Sequence, residues 1–172
     1  DAGLAVESLR GQNVGVFLAI STGDATELAL KSDAVSVYSA NGTSRSTAAG
    51  RVSFVFGLRG PCSAYDTACS SALVALHAAA RCLQCGDCDM AVVPAVNAML
   101  TPSTSVSFAT AGMTSPTGRC HTFDAGADGY CRAEAVGAVV LKRLAECVAG
   151  QDHVYGVVQG GSVGQDGASA RL

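Results

Sequence analysis

One short stretch of this sequence has the residue types and spacing of a nucleophilic site, and it reads Asp66-Thr67-Ala68-Cys69-Ser70-Ser71. A short apolar segment precedes it and a helical pattern follows, which predicts Cys69 at the start of a helix. Unpaired N–H groups and the helix dipole stabilise a thiolate there, and the thiolate is the nucleophile. The same N–H groups would hold an oxyanion formed on a carbonyl under attack. The alternative is that Cys69 is a small buried hydrophobic residue.

A nucleophile of this kind needs a base within hydrogen-bond reach, and the sequence offers three histidines. His77 lies eight residues beyond Cys69 on the same predicted helix, which places it about 12 Å away. His121 and His153 lie in segments whose position relative to Cys69 the sequence leaves open. The residues therefore indicate a nucleophile without its base.

The other cysteines include a cluster, Cys82-Leu83-Gln84-Cys85-Gly86-Asp87-Cys88, with two overlapping C-x-x-C spacings. A zinc site needs four ligands, and no second pair stands at a suitable spacing. A cluster-binding ferredoxin run would continue to a fourth cysteine and a proline. We therefore predict no metal, free thiols in a reducing compartment, and an intracellular, cytoplasmic protein. A metal-binding module stays as the alternative.

Alternating apolar segments around this stretch predict an α/β layered fold with a largely parallel sheet. Residues 70–85 carry apolar positions at a helical period and end near Gly86. Residues 101–129 form a long polar connection of the kind that lines a site. Pro94 indicates an irregular or edge strand. The remaining predicted elements are buried strands at 14–20, 135–141 and 154–158, strands at 62–68 and 90–96, a helix that carries Ala48, Val52, Val55 and Phe56 on one side and ends at Gly57, and helical turns at 144–148.

The composition of the 172 residues excludes several classes of protein. Hydrophobic residues make up 49% and charged residues 15%, with a formal net charge of -3, so the chain is predicted to fold into a compact core. The acidic balance argues against nucleic acid as a partner. No stretch reaches the roughly 18 uninterrupted apolar residues of a membrane span.

Several motifs in order along nearly the whole chain resemble the β-ketoacyl synthases, especially the ketosynthase domains of type I modular polyketide synthases. The stretch around Cys69 resembles the active-site motif of that family. The chain departs from the family pattern at Ala133 and Ala135, where glycines are usual, and at Gly164, where asparagine is common. The other matching segments are Ser8-Leu-Arg-Gly11, Ala49-Gly-Arg-Val-Ser-Phe54, Gly57-Leu-Arg-Gly-Pro61, Met113-Thr-Ser-Pro-Thr-Gly-Arg-Cys-His-Thr-Phe-Asp124, Ala127-Asp-Gly-Tyr130, Val140-Leu-Lys-Arg-Leu144 and Gln165-Asp-Gly167.

The resemblance implies a thiolase-like, layered α-β-α-β-α fold, of which this chain would be a partial, mostly N-terminal half. It implies that Cys69 takes an acyl chain from the phosphopantetheine arm of an acyl carrier protein. A malonyl-type extender would then lose CO2 and condense with that acyl group to give a 3-ketoacyl thioester. No cofactor would be bound directly. Tyr130 would line the acyl pocket, with a core aromatic residue as the alternative.

The resemblance also implies the domain organisation and the partners. Residues 1–172 would be one partial ketosynthase domain, truncated at both ends and inactive alone, because the two histidines of the family lie in motifs beyond Gly167. None of the three histidines present would inherit their role. Residues 62–68 resemble the strand that pairs across a two-fold axis, which predicts a homodimer of the intact domain, with neighbouring synthase domains as further partners. The alternatives are a thiolase, a fatty-acid-type synthase and a non-elongating acyl-binding homologue.

Overall fold

The computed structural model describes residues 2–32 and 36–168. The elements of this part of the chain alternate between helices and strands, as the apolar pattern predicts. In chain order they are α1 (Val6–Leu9), β1 (Val14–Ile20), α2 (Asp24–Lys31), α3 (Ser39–Thr43), α4 (Arg45–Phe56), β2 (Cys62–Tyr65), α5 (Ser71–Cys85), β3 (Met90–Asn97), α6 (Ser103–Thr110), β4 (Ala135–Lys142) and α7 (Leu144–Gly150).

The four strands form one sheet in the order β2-β1-β3-β4. β1 lies between β2 and β3 and runs parallel to both, whereas β4 is antiparallel to β3. The prediction of an α/β fold with a largely parallel sheet is therefore confirmed. Because β1 is covered on both faces, its sequence is one continuous apolar run with no alternation.

Helices cover both faces of the sheet. On one face, Phe17 and Ala91 pack with Ala75 and Ala79 of α5. On the other face, Val16 and Leu18 pack against Ala49 of α4. The small alanine side chains let the helices lie close to the strands, so burial of apolar surface holds three layers together.

The ends of the two packing helices are set by glycine. Gly57 follows α4 with φ 67°, and Gly86 follows α5 with φ 79°. Both values lie in the left-handed region, which glycine enters without steric cost. Both helix ends therefore fall where the sequence places them.

Pro94 lies in an inner strand and produces the irregularity that the sequence predicts. The pairing of β3 with β1 joins Val14–Val16 to Met90–Val92 and resumes only at Ala19 and Ala95. Proline has no N–H to donate, so the ladder has a gap at this point. The pairing with β4 continues through the gap, with Pro94 opposite Ala138.

Two expectations about the later strands are wrong. Residues 154–158 form no strand and lie exposed, because no neighbouring strand within the described chain offers hydrogen bonds to that backbone. β4 is a strand, but most of its residues are exposed, since nothing in the described chain covers their outer side. Between β4, α5 and residues 152–158 lies an open groove of about 900 Å³, with Leu76, Leu141 and Val157 among its walls.

Helices α2 and α6 are not predicted by the apolar pattern, and acidic side chains of α2 join them. Asp24 is buried, and its Oδ2 accepts hydrogen bonds from the N–H groups of Leu100 (2.9 Å) and Thr101 (3.0 Å). The carboxylate of Glu27 accepts from Thr101 Oγ1 at 2.9 Å and from Ser103 Oγ at 2.6 Å. These bonds fix the start of α6 against α2 and satisfy backbone groups that precede the helix.

This contact is expected to weaken in acid. Hydrogen bonds from Lys31, Ser103 and Thr101 lower the pKa of Glu27 to about 2 from 4.5. A depressed carboxyl pKa contributes stability that is complete above pH 4.5 and is lost as pH falls towards 2. Unfolding midpoints followed by circular dichroism should therefore fall between pH 5 and pH 2, and more steeply in the native protein than in Glu27→Gln. Parallel curves for the two proteins would contradict this.

Candidate functional site

Cys69 lies in a short turn between β2 and α5. The helix begins at Ser71, so Cys69 precedes its first residue by two positions. The turn is closed by hydrogen bonds from Ser70 N to the carbonyl of Thr67 (3.3 Å) and from Ser71 N to that of Ala68 (3.2 Å). Cys69 is exposed, which excludes the alternative of a buried hydrophobic residue. The thiol of Cys69 is therefore accessible from solvent.

The residue before Cys69 has a strained backbone. Ala68 has φ 56°, in the left-handed region that residues other than glycine seldom adopt. Such a conformation costs roughly 1–2 kcal/mol, and residues of this kind cluster at functional sites. The strained position turns the chain sharply between the end of β2 and the helix.

The side chain of Ser71 hydrogen-bonds to the backbone of this turn. Its side chain is buried, and its Oγ donates to the carbonyl of Ala68 at 2.6 Å and accepts from the N–H of Thr67 at 2.8 Å. Ser70 makes a similar bond, from its Oγ to the carbonyl of Thr67 at 2.8 Å, but is exposed. Ser71 is therefore the serine that links the strained turn to the core.

Replacing Ser71 with alanine is expected to loosen the turn. The change removes the partner of the Thr67 N–H and one of the two hydrogen bonds to the carbonyl of Ala68, both partly buried, which costs about 1–2 kcal/mol. Ser70→Ala is the matched control, and the loss should be smaller because water replaces its bond. Chemical unfolding of both variants measures the difference, and the rate of Cys69 alkylation by iodoacetamide reports on the turn. Equal stability of the two variants would contradict the role given to Ser71.

An ion pair ties the same turn to the other side of the sheet. Arg45, the first residue of α4, donates to Asp66 Oδ2 and, at 2.7 Å, to the carbonyl of Ser21 after β1. The other carboxylate oxygen of Asp66 accepts from the N–H of Ala68 at 3.3 Å. Because both partners are partly exposed, the pair positions the turn more than it stabilises the fold. Arg45 is not predicted from the sequence, where the available signal is the Asp66-x-Ala68 spacing of a side chain-to-backbone turn.

None of the three histidines is hydrogen-bonded to Cys69 in the part of the chain that the structure describes. His77 lies on α5, with Nδ1 3.3 Å from where a Cβ would stand at Gly161. His153 packs edge-on against Tyr155, with ring centroids 4.4 Å apart. His121 belongs to the loop after α6, where its carbonyl accepts from Asp124 N.

Tyr130 supports α6. Its ring meets Phe108 edge-on at 6.5 Å, and the guanidinium of Arg132 lies 4.9 Å above the same Phe108 ring. The backbone of Tyr130 bonds to Met113 and Ser115. These contacts fit an aromatic residue that anchors the long loop, and its part in an acyl pocket stays a prediction.

The remaining features stand apart from Cys69. The large groove is not lined by Cys69 or Tyr130, so its volume is no guide to the chemistry of this turn. In the cysteine cluster Cys82 and Cys88 are buried and Cys85 is exposed. Across residues 2–32 and 36–168, no three His, Cys, Asp or Glu side chains are grouped to hold a metal ion. None of the helices described is long and apolar enough to cross a membrane.

Fold and site together define an α/β domain with an exposed cysteine at a strand–turn–helix junction. Residues 1–147 match the family model for the N-terminal domain of β-ketoacyl synthases. The chain is 42% identical over 170 residues to a probable polyketide synthase 1 of Dictyostelium discoideum. It is 43% identical over 169 residues to a phenolphthiocerol/phthiocerol polyketide synthase of Mycobacterium tuberculosis. These alignments cover 98% of this chain but only 5% and 9% of the relatives.

Solved structures of ketosynthases also resemble this chain. The ketosynthase from module 6 of the bacillaene synthase of Bacillus subtilis superposes with a TM-score of 0.87 and 39% sequence identity. The match covers 99% of this chain and 29% of that ketosynthase. The chain belongs to the β-ketoacyl synthase family, and its fold is the N-terminal part of the thiolase-like ketosynthase fold.

Proposed function

We propose that this chain is the nucleophile-bearing part of a polyketide-synthase ketosynthase domain, with Cys69 as the residue that carries the acyl group. The observation that carries the proposal is the exposed thiol of Cys69 in a strained, hydrogen-bonded turn between β2 and α5. A nucleophile has to meet its substrate in a fixed orientation. Ser71 and the Arg45–Asp66 pair provide that orientation here.

The reaction has two steps. The sulfur of Cys69 attacks the carbonyl carbon of an acyl thioester on the phosphopantetheine arm of an acyl carrier protein, and the thiol of the arm leaves. A malonyl-type extender on a carrier then loses CO2, and its carbanion attacks the Cys69 thioester. The bond from sulfur to the acyl carbon breaks, Cys69 regains its thiol, and a 3-ketoacyl thioester leaves on the carrier.

We do not assign the proton transfers of this scheme to the three histidines of this chain. No hydrogen bond joins His77, His121 or His153 to Cys69 among the described residues, so we assign the base and the oxyanion partners to histidines outside this chain. Residues 1–172 would then be one partial domain, and condensation would need the intact one. No cofactor is proposed on the chain itself, since the phosphopantetheine arm belongs to the carrier protein.

Partners follow from the same scheme. The acyl carrier protein and neighbouring synthase domains would deliver and remove the acyl chain. β2 ends the sheet with its outer edge unpaired within the described chain, which suits pairing with the β2 of a second copy. We therefore propose a homodimer of the intact domain. We also propose that the protein acts in the cytoplasm, where its cysteines would stay as free thiols.

The test uses the intact ketosynthase domain that contains this chain. It is incubated with an acyl carrier thioester, and peptide mass spectrometry should find the acyl group on Cys69. Addition of a malonyl carrier should then release a 3-ketoacyl product and return Cys69 to the free thiol. Acylation at another cysteine would overturn the assignment of Cys69. Acylation of Cys69 without condensation would favour the non-elongating homologue, and a preference for fatty-acid carriers would favour a fatty-acid-type synthase.

A further inference from the structure

We propose that Cys82 and Cys88 are an oxidation site, at which a small hydroperoxide converts the two thiols into a disulfide. Their Sγ atoms lie 3.1 Å apart. This is shorter than the separation of about 3.5–4.0 Å at which two nonbonded carbon atoms are in contact, so the two sulfur atoms touch. Both side chains are buried, Cys88 fully and Cys82 with 9% exposed. Theirs is the one hydrogen bond between two sulfur atoms among the described residues.

The backbone between the two cysteines is held in place. α5 ends at Gly86, after which Asp87 N donates to the carbonyl of Cys82 at 3.0 Å. Asn13, just before β1, accepts from Asp89 N at 3.0 Å and donates to the carbonyl of Asp87 at 3.2 Å. The turn that joins the two thiols is thus fixed at both ends.

Arg143 closes the same turn from the β4 side. Its guanidinium donates to the carbonyls of Leu83 at 3.1 Å and Cys88 at 2.8 Å, and pairs with Asp89 at 3.0 Å. The backbones that carry the two thiols are therefore clamped to each other. Disulfide formation needs side chains already in range, since large backbone movements would be strained.

The reaction balances with hydrogen peroxide as the oxidant. Cys82 retains some exposure, so its thiolate attacks one peroxide oxygen, the O–O bond breaks, and hydroxide leaves with sulfenic acid on Cys82. Cys88 then attacks that sulfur and loses its proton, and the sulfenic oxygen leaves as water. Burial, with the hydrogen bond to Cys82, raises the pKa of Cys88, which fits a thiol that reacts second. Overall, two thiols and one peroxide give one disulfide and two waters.

The third cysteine of the cluster does not compete for this bond. Cys85 is the last residue of α5 and is exposed, whereas the other two side chains face the core. Cys69 is also separate, since the thirteen residues from Cys69 to Cys82 span roughly 20 Å along the helix. The disulfide would therefore form without the catalytic thiol.

The intact domain provides the test. Exposed thiols, including Cys69 and Cys85, are first blocked with iodoacetamide under native conditions. The protein is then treated with hydrogen peroxide, unfolded and labelled with N-ethylmaleimide. Trypsin releases residues 82–119 as one peptide, because no Lys or Arg lies between Arg81 and Arg119. We expect this peptide two hydrogen atoms lighter, with no maleimide on Cys82 or Cys88, and both labels back after dithiothreitol.

Two other outcomes would overturn the proposal. Full maleimide labelling of Cys82 and Cys88 after peroxide would mean that the contact is only a thiol–thiol hydrogen bond. Oxidation of either sulfur to a sulfinic acid without a link would mean that the partner cannot reach it. A Cys85→Ser protein, without the blocking step, should give the same link. Loss of the link in that variant would assign the chemistry to Cys85.

Discussion

Cys69→Ala is expected to abolish both acyl loading and condensation by the intact domain. Removing a catalytic nucleophile deletes the covalent step, and such losses reach roughly 10³-fold or more in kcat. Cys69 is exposed and makes no core contact, so the variant should fold normally. Peptide mass spectrometry after an acyl carrier thioester, and product formation after a malonyl carrier, measure the two steps.

Cys85→Ala is the matched control, because Cys85 is also exposed and ends the same helix that Cys69 precedes. It should retain acylation and product formation. Iodoacetamide should inactivate the native domain and the Cys85 variant at the same rate, in proportion to labelling of Cys69. Retained condensation in Cys69→Ala, or an equal loss in both variants, would remove Cys69 from the mechanism.

Among the substitutions considered, Gly60→Ala is expected to cause the largest loss in the free energy of unfolding. A Cβ at Gly60 would stand 2.4 Å from the carbonyl carbon of Val14 and 2.5 Å from its oxygen. Val14 begins β1 and is buried, and Gly60 N donates to the same carbonyl at 3.2 Å. Neither backbone is free to yield, so we expect a loss of about 3 kcal/mol in the free energy of unfolding.

Gly50→Ala is expected to change the free energy of unfolding in the opposite direction. Gly50 lies inside α4, and a Cβ there meets nothing within 4 Å. Alanine in a helix interior is favoured over glycine by roughly 0.5–1 kcal/mol, so this variant should be slightly more stable. Urea unfolding of the two variants against the native protein checks both signs. A folded Gly60→Ala protein with an unchanged midpoint would contradict the close approach at Val14.

The elements that the sequence predicts well are those whose pattern is local. β1 is a continuous apolar run, and α5 combines a helical period with a glycine at its end. α2 and α6 escape prediction because their main support is tertiary: Asp24 caps backbone groups 76 and 77 residues away. Residues 154–158 mislead for the opposite reason, since an apolar run becomes a strand only where a partner strand accepts its hydrogen bonds.

The site follows the same division. The position of Cys69 between a strand and a helix can be predicted because small residues surround it in the sequence. The positive φ of Ala68 and the bond from Arg45 to Asp66 depend on how α4 and β1 meet, which no spacing in the sequence reports. The contact of Cys82 with Cys88 is a further case. The C-x-x-C spacings treat the three cysteines of the cluster alike, whereas in the structure Cys82 and Cys88 are buried together and Cys85 is exposed.

The gap at Pro94 divides the pairing of β1 with β3 into two regions. On one side of the gap, Val14–Val16 pair with Met90–Val92, and Ala91 of this region packs in the same core cluster as Cys82 and Cys88. On the other side of the gap, Ala19 and Ile20 lead to Ser21, whose carbonyl accepts a hydrogen bond from Arg45 of α4, the residue that also pairs with Asp66. Missing ladder bonds let neighbouring parts of a fold open independently. We therefore expect oxidation of Cys82 and Cys88 to change amide exchange in Val14–Val16, while amide exchange at Ala19 and Ile20 keeps its rate.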